Sequence, residues 1–286
     1  MKAKTTSASV LVALALASPL ALLAQSDSAD KKTSQVELPQ HEKPNLIKSM
    51  EASPLPRAAT ADQTTAAKLV YGLLSDSRYA YRPVALDDTL SADIYKRYLE
   101  SLDGGKQFFT AQDVAKFDAY KLKFDDAIKS GDLTPAYAIF ATYKQRVDQR
   151  VGYARNLLKQ DMFDFTGTDR YEYDREKAPW AADDAALDTL WKASVRNDWL
   201  RLKLAGKKPD DIRKTLDKRY ANMGKSIAEL KGEDVFQTFL NSYANSVDPH
   251  TDYFTPKTAD NFNVSMSLSL EGIGAVLQKQ DDVVAI

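Results

Sequence analysis

The sequence contains no cysteine and only two histidines among its 286 residues. The lack of cysteine excludes disulfides, thiol nucleophiles and cysteine-ligated metals. With only His41 and His250 present, a histidine-rich metal centre is excluded as well. The sequence therefore predicts neither a metal nor any other cofactor.

A net excess of charge is also missing, because 39 lysines and arginines face 40 aspartates and glutamates, for a net charge of −1. A chain without a basic field is poorly suited to binding nucleic acid, which we exclude as a partner. With 44% hydrophobic and 28% charged residues, the composition is typical of a globular protein.

Long apolar runs are absent after the first 24 residues, which have the pattern of a secretory signal peptide. Lys2 and Lys4 precede an apolar stretch over residues 10–23, and cleavage after Ala24 is expected. The predicted location is the periplasm. Membrane contact is expected only through substrates or through an uncleaved signal that would hold the chain at the inner membrane.

Residues 25–57 form a predicted polar linker with four prolines and no sustained helical stripe. From residue 58 to residue 250 the sequence predicts a helical domain, so the expected fold class is mainly α. Apolar residues recur there at spacings of three and four. We predict helices over residues 61–75, 92–102, 111–130, 135–160, 184–205, 208–230 and 233–246.

Local signals mark several helix ends. Ser91 is the predicted N-cap of the second helix, Thr110 with Asp113 forms a capping-box pattern for the third, and Gly131 ends it. Thr134 is the predicted N-cap of the fourth helix. Spacing of this kind also suits a coiled-coil dimer, but the many aromatics and short loops favour a bundle that packs on itself.

Residues 161–182 interrupt the helical pattern with alternating aromatic and charged side chains. Such a segment can stack on sugars or bases, or supply paired carboxylates for glycoside cleavage. The interpretation we favour is a connector whose aromatics pack on the bundle while its charges face water.

Asp248, Pro249, His250 and Thr251 invite a catalytic interpretation because the histidine lies between Asp248 and Asp252. Their order also suits a turn, since a residue before proline is extended and Asp and Thr side chains bond to nearby backbone. We predict a structural corner, with catalysis as the alternative.

A glycine-framed turn follows further on. Gly272, Ile273, Gly274 and Ala275 run into an apolar strand that includes Val276 and Leu277. Amides converging in such a turn can hold a carboxylate, and a strand edge can pair with an extended peptide. An ordinary tight turn is the alternative on these residues alone.

Taken together, several motifs resemble the tail-specific (C-terminal processing) proteases of the Prc/Tsp type, which are serine peptidases of bacterial periplasms. The resemblance covers about residues 60–286. It rests on DPHTDYF followed by MSLSLEGIGAVLQ, and on DFTG, KAPW and EDVF earlier in the chain.

This resemblance implies a helical N-terminal domain, then a PDZ domain that senses substrate C-termini, then a protease core with a serine–lysine dyad. It makes residues 272–277 the site for the substrate C-terminus, and residues 251–286 the start of the PDZ domain. The dyad would lie beyond Ile286, so no catalytic residue is assigned and the chain alone is expected to be inactive. Expected partners are proteins or peptides with apolar C-termini and a periplasmic adaptor protein.

A second interpretation is a non-catalytic helical scaffold or adaptor with a peptide-binding module. A reading frame that continues into a serine–lysine core would favour the protease. A third, carbohydrate binding or hydrolysis, depends on the aromatic connector alone.

Overall fold

The described part of the chain is built mainly from α-helices, as the sequence predicts. The computed structural model describes residues 56–80, 82–160, 163–267, 278–280 and 283–285. Within them the helices are α1 (Ala61–Ser75), α2 (Asp88–Asp103), α3 (Ala111–Phe117), α4 (Phe124–Ser130), α5 (Thr134–Leu157), α6 (Asp184–Leu204), α7 (Pro209–Ala228), α8 (Gly232–Val247) and α9 (Pro256–Met266). None of the helices described there is long and apolar enough to cross a membrane.

Two short strands follow the helices. β1 (Gln278–Gln280) and β2 (Val283–Ala285) pair antiparallel, with Gln278 opposite Ala285. Both strands lie within residues 251–286, the predicted start of a PDZ domain. A hairpin of this size does not define a PDZ domain, so that assignment stays a prediction.

Local capping signals set several helix ends as predicted. The Thr110 side chain accepts a 3.1 Å hydrogen bond from the Asp113 amide, and Asp113 Oδ2 accepts one of 3.1 Å from the Thr110 amide. This reciprocal pair is the predicted capping box of α3. Gly131 ends α4 with φ of 83°, a left-handed conformation that favours glycine.

The prediction that Ser91 caps the second helix is wrong. α2 begins at Asp88, and its N-cap is Asp87. Ser91 is buried inside the helix, where its Oγ accepts a 2.9 Å hydrogen bond from the Phe124 amide and donates one of 2.9 Å to the Lys121 carbonyl. Ser91 therefore caps the start of α4, which is distant in sequence.

The single helix predicted over residues 111–130 is interrupted. A 3₁₀ turn (Asp118–Tyr120) and a short bend separate α3 from α4. The interruption leaves Lys121 exposed, while Phe117 and Phe124 on either side are both buried. A charged residue in the middle of the apolar stripe is thus kept in water by the break.

The fourth predicted helix also starts differently. Its N-cap is Leu133, not Thr134, which is the first helical residue. Asp132 Oδ1 instead accepts a 3.2 Å hydrogen bond from the Thr134 amide. The side chain of exposed Asp132 thus bonds to one of the first amides of α5. The sequence had predicted this capping role for the Thr134 side chain.

An aromatic cluster joins α2, α4 and α8. The ring of Phe124 lies 4.9 Å from that of Phe239, and the ring of Tyr98 lies 5.4 Å from Phe239, both edge to face. The hydroxyl of fully buried Tyr98 donates a 3.0 Å hydrogen bond to the Ala136 carbonyl at the start of α5. The apolar stripes are thus buried within one bundle, as the favoured interpretation predicts.

The loop between α2 and α3 is organised by one buried carboxylate. Asp103 accepts hydrogen bonds of 2.7 Å from the Gln107 amide and 2.9 Å from each of the Phe108 and Phe109 amides. Burial raises the pKa of Asp103 to about 6, although these three amides and the charge of Lys106 oppose the rise. The carboxylate holds the loop that carries both phenylalanines into the core.

Ion pairs connect α5 to its neighbours. Arg146 Nε and Nη2 bind the two oxygens of buried Asp113 at 2.7 Å and 3.0 Å. Burial pushes the pKa of Asp113 upward, but Arg146 and Thr110 hold it below its usual range. A second arginine one turn on, Arg150, pairs with Asp188 of α6.

The connector between α5 and α6 packs on the bundle through its aromatics. The ring of Phe163 lies 5.9 Å from that of Trp199, and the ring of Trp180 lies 6.0 Å from that of Phe109. Lys106 reaches across to donate a 2.7 Å hydrogen bond to the connector's backbone. This packing agrees with the favoured interpretation of the segment, although the Tyr173 side chain in it is 77% exposed.

Candidate functional site

Three amide side chains on α8 hold the segment that leaves the helical bundle. Gln237, Asn241 and Asn245 are spaced by four residues, which places them on one face of the helix. We call them the amide ladder. Their common role is to form hydrogen bonds with residues 251–258, which run back along α8 and include the first turn of α9.

The middle of the ladder makes its shortest contact. Asn241 Oδ1 accepts a 2.6 Å hydrogen bond from the Tyr253 amide. Asn245 Nδ2 donates a 3.2 Å hydrogen bond to a carboxylate oxygen of Asp252. The Tyr253 amide has no helix or sheet partner, and Asn241 supplies one.

The start of the ladder anchors α9. Gln237 Oε1 accepts hydrogen bonds of 3.2 Å from the Thr255 amide and 2.9 Å from the Thr258 hydroxyl. Thr255 is buried and is also the N-cap of α9, where its side chain accepts a hydrogen bond from the Thr258 amide. The ladder therefore fixes where α9 starts.

A groove of about 500 Å³ adjoins this junction, between the starts of α1, α8 and α9. Its apolar wall includes Phe236 and Tyr253, whose rings meet edge to face at 5.4 Å. The amide of Gln63 in the same wall is already used, since its Oε1 accepts hydrogen bonds of 2.9 Å from both the Tyr137 hydroxyl and the Thr60 amide. The groove thus joins the junction to α1.

The turn before the junction is built around Asp248, which is extended as a residue before Pro249 should be. Its Oδ1 accepts a 3.0 Å hydrogen bond from the His250 amide and lies 3.1 Å from His250 Nδ1. Its carbonyl accepts a 3.0 Å bond from the Thr251 amide. The His250 donors and Thr251 keep the pKa of Asp248 below its usual range.

This geometry does not assemble a catalytic triad. The His250 side chain is 89% exposed, and among the described residues no serine hydroxyl bonds to its ring. Nucleophilic catalysis needs a histidine held on one side by a carboxylate and on the other by a serine. The arrangement suits the structural corner predicted for residues 248–251, whose role stays a prediction.

The predicted site for a substrate C-terminus lies outside the described residues. It comprises Gly272, Ile273, Gly274, Ala275, Val276 and Leu277. β1 begins directly after it, at Gln278. Within the part of the chain that the structure describes, no group of three or more acidic or histidine side chains is arranged to hold a metal ion.

Sequence reasoning missed the amide ladder and α9. The ladder has a sequence signal, since its three amides recur every four residues along a helix whose other face is aromatic. α9 has one as well, because Thr255 and Pro256 are an N-cap and a first-turn proline.

The helical bundle and the junction at its end coincide with the region in which the chain matches known proteins. The profile of the family described as "Tail specific protease N-terminal domain" matches residues 73–257, from α1 into the first turn of α9. A curated protein of Haemophilus influenzae named "Tail-specific protease" is 40% identical over 207 residues, which are 72% of this chain and 30% of that protein.

The chain therefore belongs to the tail-specific protease family, and the matched region is the N-terminal domain of that family. The resemblance that the sequence motifs indicate is confirmed. The matched part spans about 30% of the length of the Haemophilus influenzae relative.

Proposed function

We propose that this chain is the N-terminal part of a periplasmic serine endopeptidase that recognises proteins by their apolar C-terminal tails and degrades or processes them. The observation that carries the proposal is the family match over residues 73–257, together with the 40% identical relative named for tail-specific proteolysis. The signal-like first 24 residues support the location.

In this proposal the bundle is a platform and residues 272–277 are the receptor. The amides of Gly272, Ile273, Gly274 and Ala275 hold the substrate carboxylate, and the edge of the strand that follows pairs with the tail. Tails that end in apolar side chains are favoured, because the burial of apolar surface on binding is favourable. The amide ladder contributes by fixing the backbone that leads toward this receptor.

Proteolysis itself is assigned to a serine–lysine dyad outside these 286 residues. The support is that the relative is much longer than the matched region. In this assignment the chain alone carries no activated nucleophile, so it should not cleave substrate tails.

The test compares the purified chain with the product of the complete reading frame. Both are given one reporter protein ending in three apolar residues and the same reporter ending in two aspartates. We expect the complete product to cleave only the apolar-tailed reporter. The variant of the complete product in which the dyad serine is replaced by alanine should cleave neither reporter, and neither should this chain. Cleavage by this chain would contradict its assignment as inactive.

The same experiment separates the alternative. A complete product that binds the apolar-tailed reporter but leaves it intact would be a non-catalytic scaffold or adaptor. Equal cleavage or equal binding of the two reporters would contradict tail recognition, both by a protease and by an adaptor.

The location is tested by fusing residues 1–57 to a phosphatase that is active only after export. Activity is expected with the native segment and should be lost when Lys2, Lys4 and part of the apolar run are replaced by polar residues. Activity that survives this replacement would contradict an export role for the segment.

A further inference from the structure

Two clefts adjoin at Glu100 of α2. The first, of about 490 Å³, lies between the loop that follows α2 and residues 173–176 of the connector. The second, of about 510 Å³, lies between α2 and the face of α8 that carries the amide ladder. The Glu100 side chain lines both clefts and is 47% exposed. We call the two clefts together the Glu100 groove, and each is within the size range of ligand sites in proteins.

The connector wall of the groove is held in place by two backbone contacts. Lys106 Nζ donates a 2.7 Å hydrogen bond to the Glu176 carbonyl, and Arg175 Nε donates one of 3.3 Å to the Gly105 carbonyl. Tyr173 lies beside these contacts and lines the groove with a side chain that is 77% exposed. A tyrosine ring on a fixed backbone offers a flat apolar face with a polar tip, which suits stacking against a sugar ring at little ordering cost.

The α8 half of the groove offers hydrogen-bonding groups that the described residues leave unused. Gln237 and Asn241 spend their side-chain oxygens on the segment that leaves the bundle, and their NH₂ groups bond to no described residue. Arg97 in the same lining forms no ion pair or hydrogen bond within the described part of the chain. The Glu100 carboxylate has only a 4.0 Å contact with Lys96. Donors and acceptors therefore lie side by side, as a sugar hydroxyl needs, because it both donates and accepts.

The lining argues against peptide tails and against strongly charged ligands. Among the described residues of the two clefts, Tyr173 is the only one with a large apolar surface, so apolar peptide side chains find no pocket. The walls are helices and loops, which offer an extended peptide no strand edge. Charges of both signs are present, namely the carboxylates of Glu100, Asp174 and Glu176 and the guanidinium groups of Arg97 and Arg175. An uncharged ligand rich in hydroxyls fits this mixture best.

We propose that the Glu100 groove binds a neutral oligosaccharide. One sugar ring stacks on Tyr173, and the following rings bond to Glu100, Arg97 and the free NH₂ groups of the ladder. The inference goes beyond proteolysis and does not rest on the proposed function, because it uses no residue outside the helical bundle and its connector. Each hydroxyl contact replaces a hydrogen bond to water, so we expect a dissociation constant of about 0.1–1 mM.

The test titrates two linear tetrasaccharides into the purified chain by calorimetry, one of β-linked glucose and one of β-linked N-acetylglucosamine. At least one should bind, and Tyr173→Ala and Arg97→Ala, one in each cleft, should each weaken it by at least about fivefold. Both replaced side chains are exposed, so thermal unfolding of the variants should match the wild type. The matched control is Tyr79→Ala, which removes a tyrosine that is 65% exposed and lines neither cleft, and should leave binding unchanged.

Three results would overturn the inference. The first is the failure of both tetrasaccharides to bind at about 10 mM. The second is equal weakening by Tyr79→Ala and Tyr173→Ala, which would show that the sugar meets exposed tyrosines without a site. The third is full binding in either Tyr173→Ala or Arg97→Ala, since the two clefts would then not act as one groove. A glycine- and serine-rich peptide that displaces the bound sugar at lower concentration would assign the groove to polypeptide and also overturn it.

Discussion

Asn241 Oδ1 accepts the backbone N–H of Tyr253 at 2.6 Å, and this contact joins the last bundle helix to the segment that leaves it. The two residues are twelve positions apart, on opposite sides of the turn at Asp248. A side-chain acceptor takes the place of the helix or sheet bond that the Tyr253 amide lacks. The position of α9 therefore depends on amide side chains of α8.

Asn241→Ala should loosen this segment. The Tyr253 amide loses its partner in a partly buried place, and we expect the free energy of unfolding to fall by about 1 kcal/mol. Hydrogen exchange should accelerate across residues 251–258 but not within α5. Asn261→Ala, in the exposed part of α9, is the control and should change stability by less than about 0.5 kcal/mol. Equal exchange rates in both variants would show that the ladder does not hold the segment.

Arg146→Met should be costly because it leaves a buried carboxylate without its cation. Asp113 is 5% exposed at its side chain and Arg146 is 14% exposed, and we expect a loss of about 2–3 kcal/mol in denaturant unfolding. Asp113 has a lowered pKa in the folded state, so its contribution is present above its unfolded pKa and fades as the pH falls below that value.

The matched control is Arg155→Met, which breaks the pair of Arg155 with Asp217. Both partners are more than 40% exposed, and such pairs contribute less than about 1 kcal/mol. Losses of equal size in the two variants would mean that burial does not decide the strength of these pairs.

The helical class and most helix ends were predictable because their signals are local. Thr110 with Asp113 and the glycine at position 131 act within one turn of their own helices. The prediction that Ser91 caps α2 was wrong because its side chain caps α4, which is distant in sequence. Tertiary packing, which periodicity does not encode, decided between an N-cap and a buried helical serine.

The site was less predictable than the fold. His250 was singled out in the sequence because histidine is a common catalytic residue. The hydrogen bonds that organise the junction come instead from amide side chains such as that of Gln237. Asparagine and glutamine on a helix are usually solvated, and only the return of the chain along α8 gives them partners. Lys121 is a similar case. It lies in a predicted apolar stripe but is exposed because the helix is interrupted between α3 and α4, and the spacing of apolar residues does not show this interruption.

Gly131→Ala should be far more destabilising than Gly206→Ala, although the two glycines have nearly the same left-handed φ of 83° and 80°. The conformation alone costs alanine about 1 kcal/mol at each site. A Cβ at position 131 would also lie 2.3 Å from Thr64 Cγ2, whereas one at position 206 meets nothing within 4 Å. We expect thermal unfolding to show a loss of about 2–4 kcal/mol at the first and about 1 kcal/mol at the second.

Thr64→Ser tests the cause of that difference. It removes the clashing methyl and keeps the hydroxyl that donates a 3.0 Å hydrogen bond to the Gly131 carbonyl. The double variant should recover part of the loss of Gly131→Ala. Additive losses in the double-mutant cycle would rule out the contact with Thr64 as the cause.

Asp103→Asn should change how stability depends on pH. Burial raises the pKa of Asp103 to about 6 in the folded protein, above the value of about 3.9 for an unfolded aspartate. The folded state therefore binds this proton more tightly, so the stabilisation is complete below the unfolded pKa and is lost as the pH rises through 6. Between pH 4 and pH 7 the wild-type protein should lose about 2–3 kcal/mol relative to the variant, measured by denaturant unfolding at each pH.

The competing physical effect has the opposite sign, because three amides donate to this carboxylate and favour its charged form. A wild-type advantage that grows toward pH 7 would show that these amides outweigh burial.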